Sequence, residues 1–266
     1  MRYPNGFPGW VDLSTTDQQA ATEFYTALLG WTAQGMPTGS GTSYTMLSLD
    51  GRLVCGLGAQ APGTAEDVPP VWTTYVLVGD LDEVVAAAPD AGGQVLLAAT
   101  DVLTSGRMAL LADPSGAALG LWQPRDHQGA DVFNEPGAIC WNELQSRDLG
   151  AALPFYEELF GWRWEHSDTP TGDYYVAHLD AKGSAAEGVD TSVAGAMPMP
   201  LDVPERVPSM WGVYVAVAAL DDAVASAADL GATVVVPATD IGGGMRFATV
   251  RDPQGAVFSL MEMPDL

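Results

Sequence analysis

Hydrophobic and polar positions along the chain follow one pattern that recurs several times. The segment "WVDLS" (10–14) alternates between apolar and polar residues, which is typical of a half-buried strand. Apolar residues then recur at helical spacing, at Ala20, Ala21, Phe24 and Leu28. The pattern predicts a helix that Asp17 caps and Gly30 ends. Short strands are predicted after it, near "SYTMLSL" and "LVCGLGA".

The same pattern of strand, helix and short strands then recurs in the next segment. A strand at "TTYVLVG" precedes a helix at "LDEVVAAAPDAG", and the strands "QVLLA", "GRMALLA" and "AALGLWQ" follow. The last two strands are separated by "DPSG", whose Pro and Gly are typical of a tight hairpin turn. Each set of elements is a βαβββ unit, so the pattern predicts a mixed α+β architecture with curved sheets.

The whole arrangement is duplicated within the chain. At an offset of 131, "GWVDLSTTDQQAATEFYTALLGW" matches "CWNELQSRDLGAALPFYEELFGW". At an offset of 139, the matches include Tyr75 with Tyr214, Asp82 with Asp221, and Arg107 with Arg246. We therefore predict two tandem domains, at residues 1–123 and 137–266, joined by a polar linker at 124–136.

Composition narrows the classes of partner. The 266 residues carry a formal net charge of -24, which disfavours nucleic acid and anionic membrane surfaces. The longest apolar run, "WGVYVAVAAL", is too short to span a bilayer, and no secretory signal is expected from the first residues. The two cysteines, Cys55 and Cys140, form no CxxC motif. These features predict a cytoplasmic protein with reduced thiols.

The motif D-x(6)-FY-x(4)-GW, which begins at Asp17 and again at Asp148, carries a family resemblance. Together with the turns "DPSG" and "DPQG", it resembles the glyoxalase, bleomycin resistance protein and extradiol dioxygenase superfamily, also called the vicinal oxygen chelate fold. The resemblance covers nearly the whole chain, in tandem. It implies that each domain forms a cupped, partly open β-barrel around a cavity.

The resemblance also implies where a metal would be held in metal-using members. Ligands would lie on the first strand of each unit pair and on the last strand. In this chain those positions hold Trp10, Trp141, Thr73, Gly212, Gly120 and Ser259. None of these is His, Glu, Asp or Cys, so we predict no metal and no cofactor in either domain. The three histidines, predicted in the linker (His127), a loop (His166) and a strand (His178), show no ligand spacing.

An organic ligand is the alternative occupant of such a cavity. Strand alternation predicts an inward-facing set of aromatic and acidic residues, consisting of Trp10, Asp12, Tyr75, Trp122, Trp141, Glu143, Tyr214 and Met261. This set is typical of a small-molecule pocket. Two other interpretations stay open: the indoles of Trp10 and Trp141 could fill the cavity as core, and Arg107 or Arg246 could pair with the carboxylates.

Two functions follow as hypotheses. The first is a metal-free protein that binds or sequesters a hydrophobic, aromatic small molecule. The second is a metal-independent glyoxalase-like or hydroxylase-labelled tailoring enzyme on an aromatic or polyketide substrate, with Glu143 or Asp12 as general base. A metal-dependent lyase or dioxygenase with unusual ligands is a third. The duplication supplies an internal pseudo-twofold, so the protein is expected to be a monomer or a homodimer.

Overall fold

A computed structural model describes residues 2–38, 43–61, 63–64, 68–169, 172–179 and 191–264. The first repeat contains, in order, β1 (Pro8–Thr15), α1 (Gln18–Leu29), β2 (Thr32–Pro37), β3 (Ser43–Leu49), β4 (Arg52–Ala59), β5 (Val71–Leu77), α2 (Leu81–Ala87), β6 (Gln94–Val102), β7 (Gly106–Ala112) and β8 (Ala118–Pro124). The second repeat contains β9 (Ile139–Ser146), α3 (Leu149–Phe160), β10 (Trp162–Thr169), β11 (Gly172–Leu179), β12 (Ser192–Pro198), β13 (Met210–Ala216), α4 (Leu220–Asp229), β14 (Thr233–Gly242), β15 (Met245–Arg251) and β16 (Val257–Glu262).

The strands form two eight-stranded mixed sheets with the same order. The first runs β2-β3-β4-β1-β5-β8-β7-β6, and the second runs β10-β11-β12-β9-β13-β16-β15-β14. In each βαβββ unit the strand before the helix pairs in parallel with the last strand, as β1 does with β4 and β13 with β16. The predicted fold, α+β with two tandem copies of paired βαβββ units, is confirmed.

The repeated motif sets the ends of the long helix in each repeat. The side chains of Asp17 and Asp148 accept hydrogen bonds from the backbone N–H groups of Ala20 and Ala151, as N-caps do. Gly30 and Gly161 end these helices with φ near 70°, a left-handed conformation that glycine adopts without a steric penalty. The predicted cap and stop residues of α1 are therefore confirmed.

The chain divides into two compact units, and each takes one βαβββ unit from each repeat. One comprises residues 1–10, 74–129 and 142–211; the other comprises residues 11–73, 130–141 and 212–266. In the second of these units, Phe24 of the first repeat and Phe258 of the second belong to the same buried core. In the first, Leu119 and Phe155 share a core in the same way.

A buried hydrogen-bonded node explains why the FY and DP-x-G motifs occur together. The Tyr156 hydroxyl donates to Asp113 Oδ2 at 2.8 Å and accepts from Trp211 Nε1 at 2.9 Å. Asp113 Oδ1 meanwhile accepts from the backbone of its own turn. The same node forms in the other unit around Tyr25, with Asp252 and Trp72. Burial, followed by the neighbouring carboxylate, raises the pKa of both tyrosines well above the ordinary value.

Two details differ from the sequence prediction. All six residues of β2 are exposed, so this strand has no alternation that the hydrophobic pattern could reveal. His166, predicted in a loop, lies in β10, where its ring contacts Tyr175. Within the described ranges, no helix combines the length and apolar character needed to cross a bilayer.

Candidate functional site

Each sheet has one face that packs on the helices and one face that does not, which we call the non-core face. On β1, Val11 and Leu13 belong to the hydrophobic core, whereas Asp12 and Ser14, which alternate with them, are only partly buried. On β8, Leu119 and Leu121 are core residues, and Trp122 alternates with them. The predicted alternation therefore places the candidate residues on the non-core face of their strands.

A carboxylate–tyrosine pair lies on this face in the first repeat. The Tyr44 hydroxyl donates to Asp12 Oδ2 at 3.1 Å. Tyr44 reaches Asp12 across Gly56, which is the register partner of Asp12 on β4. A Cβ atom at Gly56 would lie 1.8 Å from the Tyr44 hydroxyl oxygen, so glycine is required for this approach.

The second repeat carries the same pair in a more buried form. The Tyr174 hydroxyl donates to Glu143 Oε2 at 2.9 Å, and the Gln145 amide donates to Glu143 Oε1 at 3.2 Å. Glu143 is only 5% exposed, so its carboxylate depends on such donors to replace water. Its register partner on β12 is Gly195, as Gly56 is for Asp12.

Sequence reasoning missed the two tyrosines. Gly56 lies opposite Met46, and Gly195 lies opposite Val176, so the register makes Tyr44 and Tyr174 equivalent. The offset between them is 130 rather than 131, because the loops before these strands differ in length. An alignment of "SYTM" (43–46) with "DYYV" (173–176) would have paired them, whereas the offset of 131 pairs Tyr44 with Tyr175.

The predicted tryptophans Trp10 and Trp122 meet around a linker histidine. The His127 ring lies edge-on to Trp10, with 4.3 Å between ring centroids, and 5.5 Å from the Trp122 ring. Trp122 Nε1 also donates to the His127 carbonyl oxygen at 2.9 Å. Trp10 is consequently only 4% exposed, whereas its counterpart Trp141 is partly exposed. Trp10 thus packs as a covered residue, in line with the interpretation of this indole as a filler.

The remaining predicted residues are also placed by close packing. Tyr75 lies against Gly120, where a Cβ atom would stand 2.2 Å from the tyrosine ring. Tyr214 and Met261 form a small apolar cluster with Cys140, and Trp141 packs against it. Burial raises the pKa of the Cys140 thiol to about 12, so this cysteine behaves as a small apolar residue.

Arg107 and Arg246 pair with other aspartates, which is against the interpretation that they pair with Asp12 or Glu143. Arg107 forms a bidentate ion pair with Asp82, and Arg246 forms the equivalent ion pair with Asp221. Each aspartate lies in the first turn of a helix, where a carboxylate is also favoured by the helix dipole. The arginine lowers the pKa of each aspartate below its ordinary value.

The residues at the family's metal positions do not fit a metal. Indole has no lone pair to offer, and glycine has no side chain, so the six positions provide at most the hydroxyls of Thr73 and Ser259. Ser259 Oγ already lies 2.9 Å from Thr249 Oγ1. Across the part of the chain that the structure describes, no three His, Cys, Asp or Glu residues are grouped as a metal would require.

The chain belongs to the glyoxalase, bleomycin resistance protein and dioxygenase superfamily. Residues 8–121 match the family model of that name, and residues 139–261 match the model of a glyoxalase-like domain. The chain is 41% identical over 261 residues to "Putative glyoxylase CFP32" of Mycobacterium bovis, covering 98% of this chain and 96% of that protein. It is 34% identical over 273 residues to "Anthracycline biosynthesis protein DnrV" of Streptomyces peucetius, covering 98% and 95%.

Solved structures support the fold. A Mn(II)-bound glyoxalase from Novosphingobium aromaticivorans superposes with a TM-score of 0.63 at 15% identity, covering 97% of this chain and 83% of that one. A 2,2',3-trihydroxybiphenyl 1,2-dioxygenase from Sphingomonas wittichii gives 0.64 at 15% identity, covering 97% and 91%. At this identity the likeness concerns the architecture alone.

Proposed function

We propose that this protein binds an aromatic small molecule of the polyketide type without a metal, and that Glu143 accepts a hydrogen bond from it. The single observation that carries the proposal is the buried Glu143 carboxylate held by Tyr174 and Gln145. A buried carboxylate is costly and adds little to folding, so its retention favours a role in recognition. Two donors fix its orientation, and each carboxylate oxygen can accept more than one hydrogen bond, including one from a ligand hydroxyl or ammonium group.

The chemical class of the ligand is suggested by both the chain and its relatives. The net charge of -24 favours neutral or cationic ligands over anionic ones. A relative at 34% identity is named for anthracycline biosynthesis, and anthracyclines are flat, aromatic molecules with several hydroxyl groups. The other predicted ligand-binding residues, Trp10, Asp12, Tyr75, Trp122, Trp141, Tyr214 and Met261, stay predictions.

A tailoring enzyme is the second candidate function. It is favoured by the same relative and by the relative named as a glyoxylase. In this case Glu143 or Asp12 would act as a general base on an aromatic substrate, with the paired tyrosine hydroxyl orienting the carboxylate. In both cases the proposal includes that the protein works without a metal or a cofactor. It also includes that the protein is a monomer or a homodimer and that it is cytoplasmic.

A fluorescence titration tests the proposal. Metal-stripped protein is titrated with an anthracycline aglycone, and quenching of the eight tryptophans is followed. We expect saturable binding with a Kd in the micromolar range, weakened about tenfold in Glu143→Gln, which corresponds to about 1.4 kcal/mol. Glu158→Gln, on the exposed side of α3, is the control and should bind like the wild type.

The outcomes separate the candidates. Saturable binding without conversion of the aglycone supports the binding protein. Conversion that Glu143→Gln abolishes supports the enzyme. Binding that appears only after Mn²⁺ or Zn²⁺ is added back would contradict both.

A further inference from the structure

A histidine–carboxylate pair lies in the same unit and the same sheet as Glu143. His178 Nε2 is 3.4 Å from Glu165 Oε2, and His178 Nδ1 is 3.1 Å from Thr191 Oγ1. The His178 side chain is 23% exposed, so it is partly enclosed but reachable. With one partner at each ring nitrogen, the orientation of the imidazole is defined.

The strand register places this pair on the non-core face. Ala177 and Leu179 belong to the buried core, so His178 between them points to the opposite side of β11. Tyr174, four residues earlier on the same strand, faces the same way, because it bonds Glu143. Glu165 on β10 lies opposite Val176, which alternates with the same core residues. The two polar pairs therefore share one face of four adjacent strands.

The first repeat lacks this second pair. The register that makes Tyr44 equivalent to Tyr174 makes Ser48 the counterpart of His178. It makes Gln34, opposite Met46, the counterpart of Glu165. The first repeat thus keeps the carboxylate–tyrosine pair, but it has no ionisable group where the second repeat has two.

The two repeats also differ at the tryptophan that begins the motif. Trp10 is 4% exposed and covered by the His127 ring of the linker, whereas Trp141 is partly exposed. Of the two indoles, Trp141 is thus the one that presents more surface to solvent and to a ligand.

We propose that the second repeat is the copy that binds the ligand, and that a hydroxyl or carbonyl group of the ligand replaces Thr191 at His178 Nδ1 while Glu165 keeps its place at Nε2. This inference rests on the proposed function and specifies it further. Glu143 and His178 provide two separated polar contacts on one face of the sheet, and Tyr174 adds an aromatic ring to that face. Such an arrangement recognises an aromatic frame that carries two separated oxygen groups, as hydroxylated quinones and phenolic ketones do. His178 lies outside the strand positions that metal-using relatives employ.

Matched variants in the two repeats test the inference. The anthracycline aglycone is titrated calorimetrically into the wild type, into His178→Ala and Glu143→Gln, and into the first-repeat counterparts Ser48→Ala and Asp12→Asn. We expect one ligand per chain, about tenfold weaker binding in each second-repeat variant, and less than a twofold change in each counterpart. His178→Gln, which keeps a hydrogen-bonding side chain, should restore part of the affinity. Circular dichroism checks that each variant is folded.

The results distinguish this inference from the proposed function. Binding that is weakened equally by the first-repeat variants, or a stoichiometry of two, overturns the inference and leaves the proposed function standing. Unchanged affinity in both His178 variants also overturns it. A wild type that binds no aglycone overturns the proposed function, and the inference with it.

Discussion

Removing one hydroxyl from the buried Tyr156 node should destabilise the fold by about 3 kcal/mol. In Tyr156→Phe, Asp113 Oδ2 loses a hydrogen bond of 2.8 Å, and hydrogen bonds to carboxylates contribute about 1.5–3 kcal/mol. Trp211 Nε1 loses its acceptor at 2.9 Å, and an unsatisfied buried donor costs about 1–3 kcal/mol. The two losses share one atom, so their sum is expected near the lower end of the combined range, since neighbouring effects are not additive.

Urea denaturation, followed by tryptophan fluorescence, measures this loss. The midpoint should fall while the m-value stays constant, because the surface exposed on unfolding is unchanged. Tyr25→Phe should show a loss of similar size, because it removes the equivalent hydroxyl from Asp252 and Trp72. Tyr175→Phe is the control, since the described residues offer its hydroxyl no hydrogen bond, and it should change stability by less than about 0.5 kcal/mol. A loss below about 1 kcal/mol in Tyr156→Phe would refute the reasoning.

Three further predictions concern groups placed by the same packing. Because burial raises the folded-state pKa of Tyr156 above its ordinary value of 10.0, its stabilising contribution is complete below about pH 10 and is lost as the pH rises further. Above pH 10 the free energy of unfolding should therefore decrease more steeply with pH in the wild type than in Tyr156→Phe, by about 1.4 kcal/mol per pH unit. Equal slopes in the two proteins would argue against a buried phenol. Gly120→Ala should cost about 1–3 kcal/mol in urea titrations, because its Cβ atom would overlap Tyr75; a neutral effect would contradict the packing. Cys55 and Cys140 should resist a thiol reagent in native protein at pH 8 and react in denaturant, and fast native labelling would oppose their burial.

The fold followed from the sequence where local chemistry decides the structure. Asp17 and Gly30 define α1 by capping, and the alternation around Val11 and Leu13 separates the two faces of β1. The strand β2, which pairs with β3, was not predicted. All of its residues are exposed, so its sequence shows no alternation of hydrophobic and polar residues.

The candidate site was only partly predictable, because its contacts depend on register across three strands. Asp12 and Glu143 were identified from alternation, but their tyrosine partners are separated from them by 31 or 32 positions and meet them across a glycine. The arginine–aspartate ion pairs could have been predicted from the sequence. Asp82 and Arg107 recur together as Asp221 and Arg246, and a duplicated pair of opposite charges is itself an indication of contact.

A crystal structure of the protein grown with an anthracycline aglycone tests the central claim most directly. We expect the aglycone in the second repeat, with one hydroxyl within about 3.2 Å of a Glu143 oxygen and another oxygen near His178. A manganese, zinc or iron ion coordinated by side chains of either repeat, with the aglycone absent or bound to that ion, would contradict it.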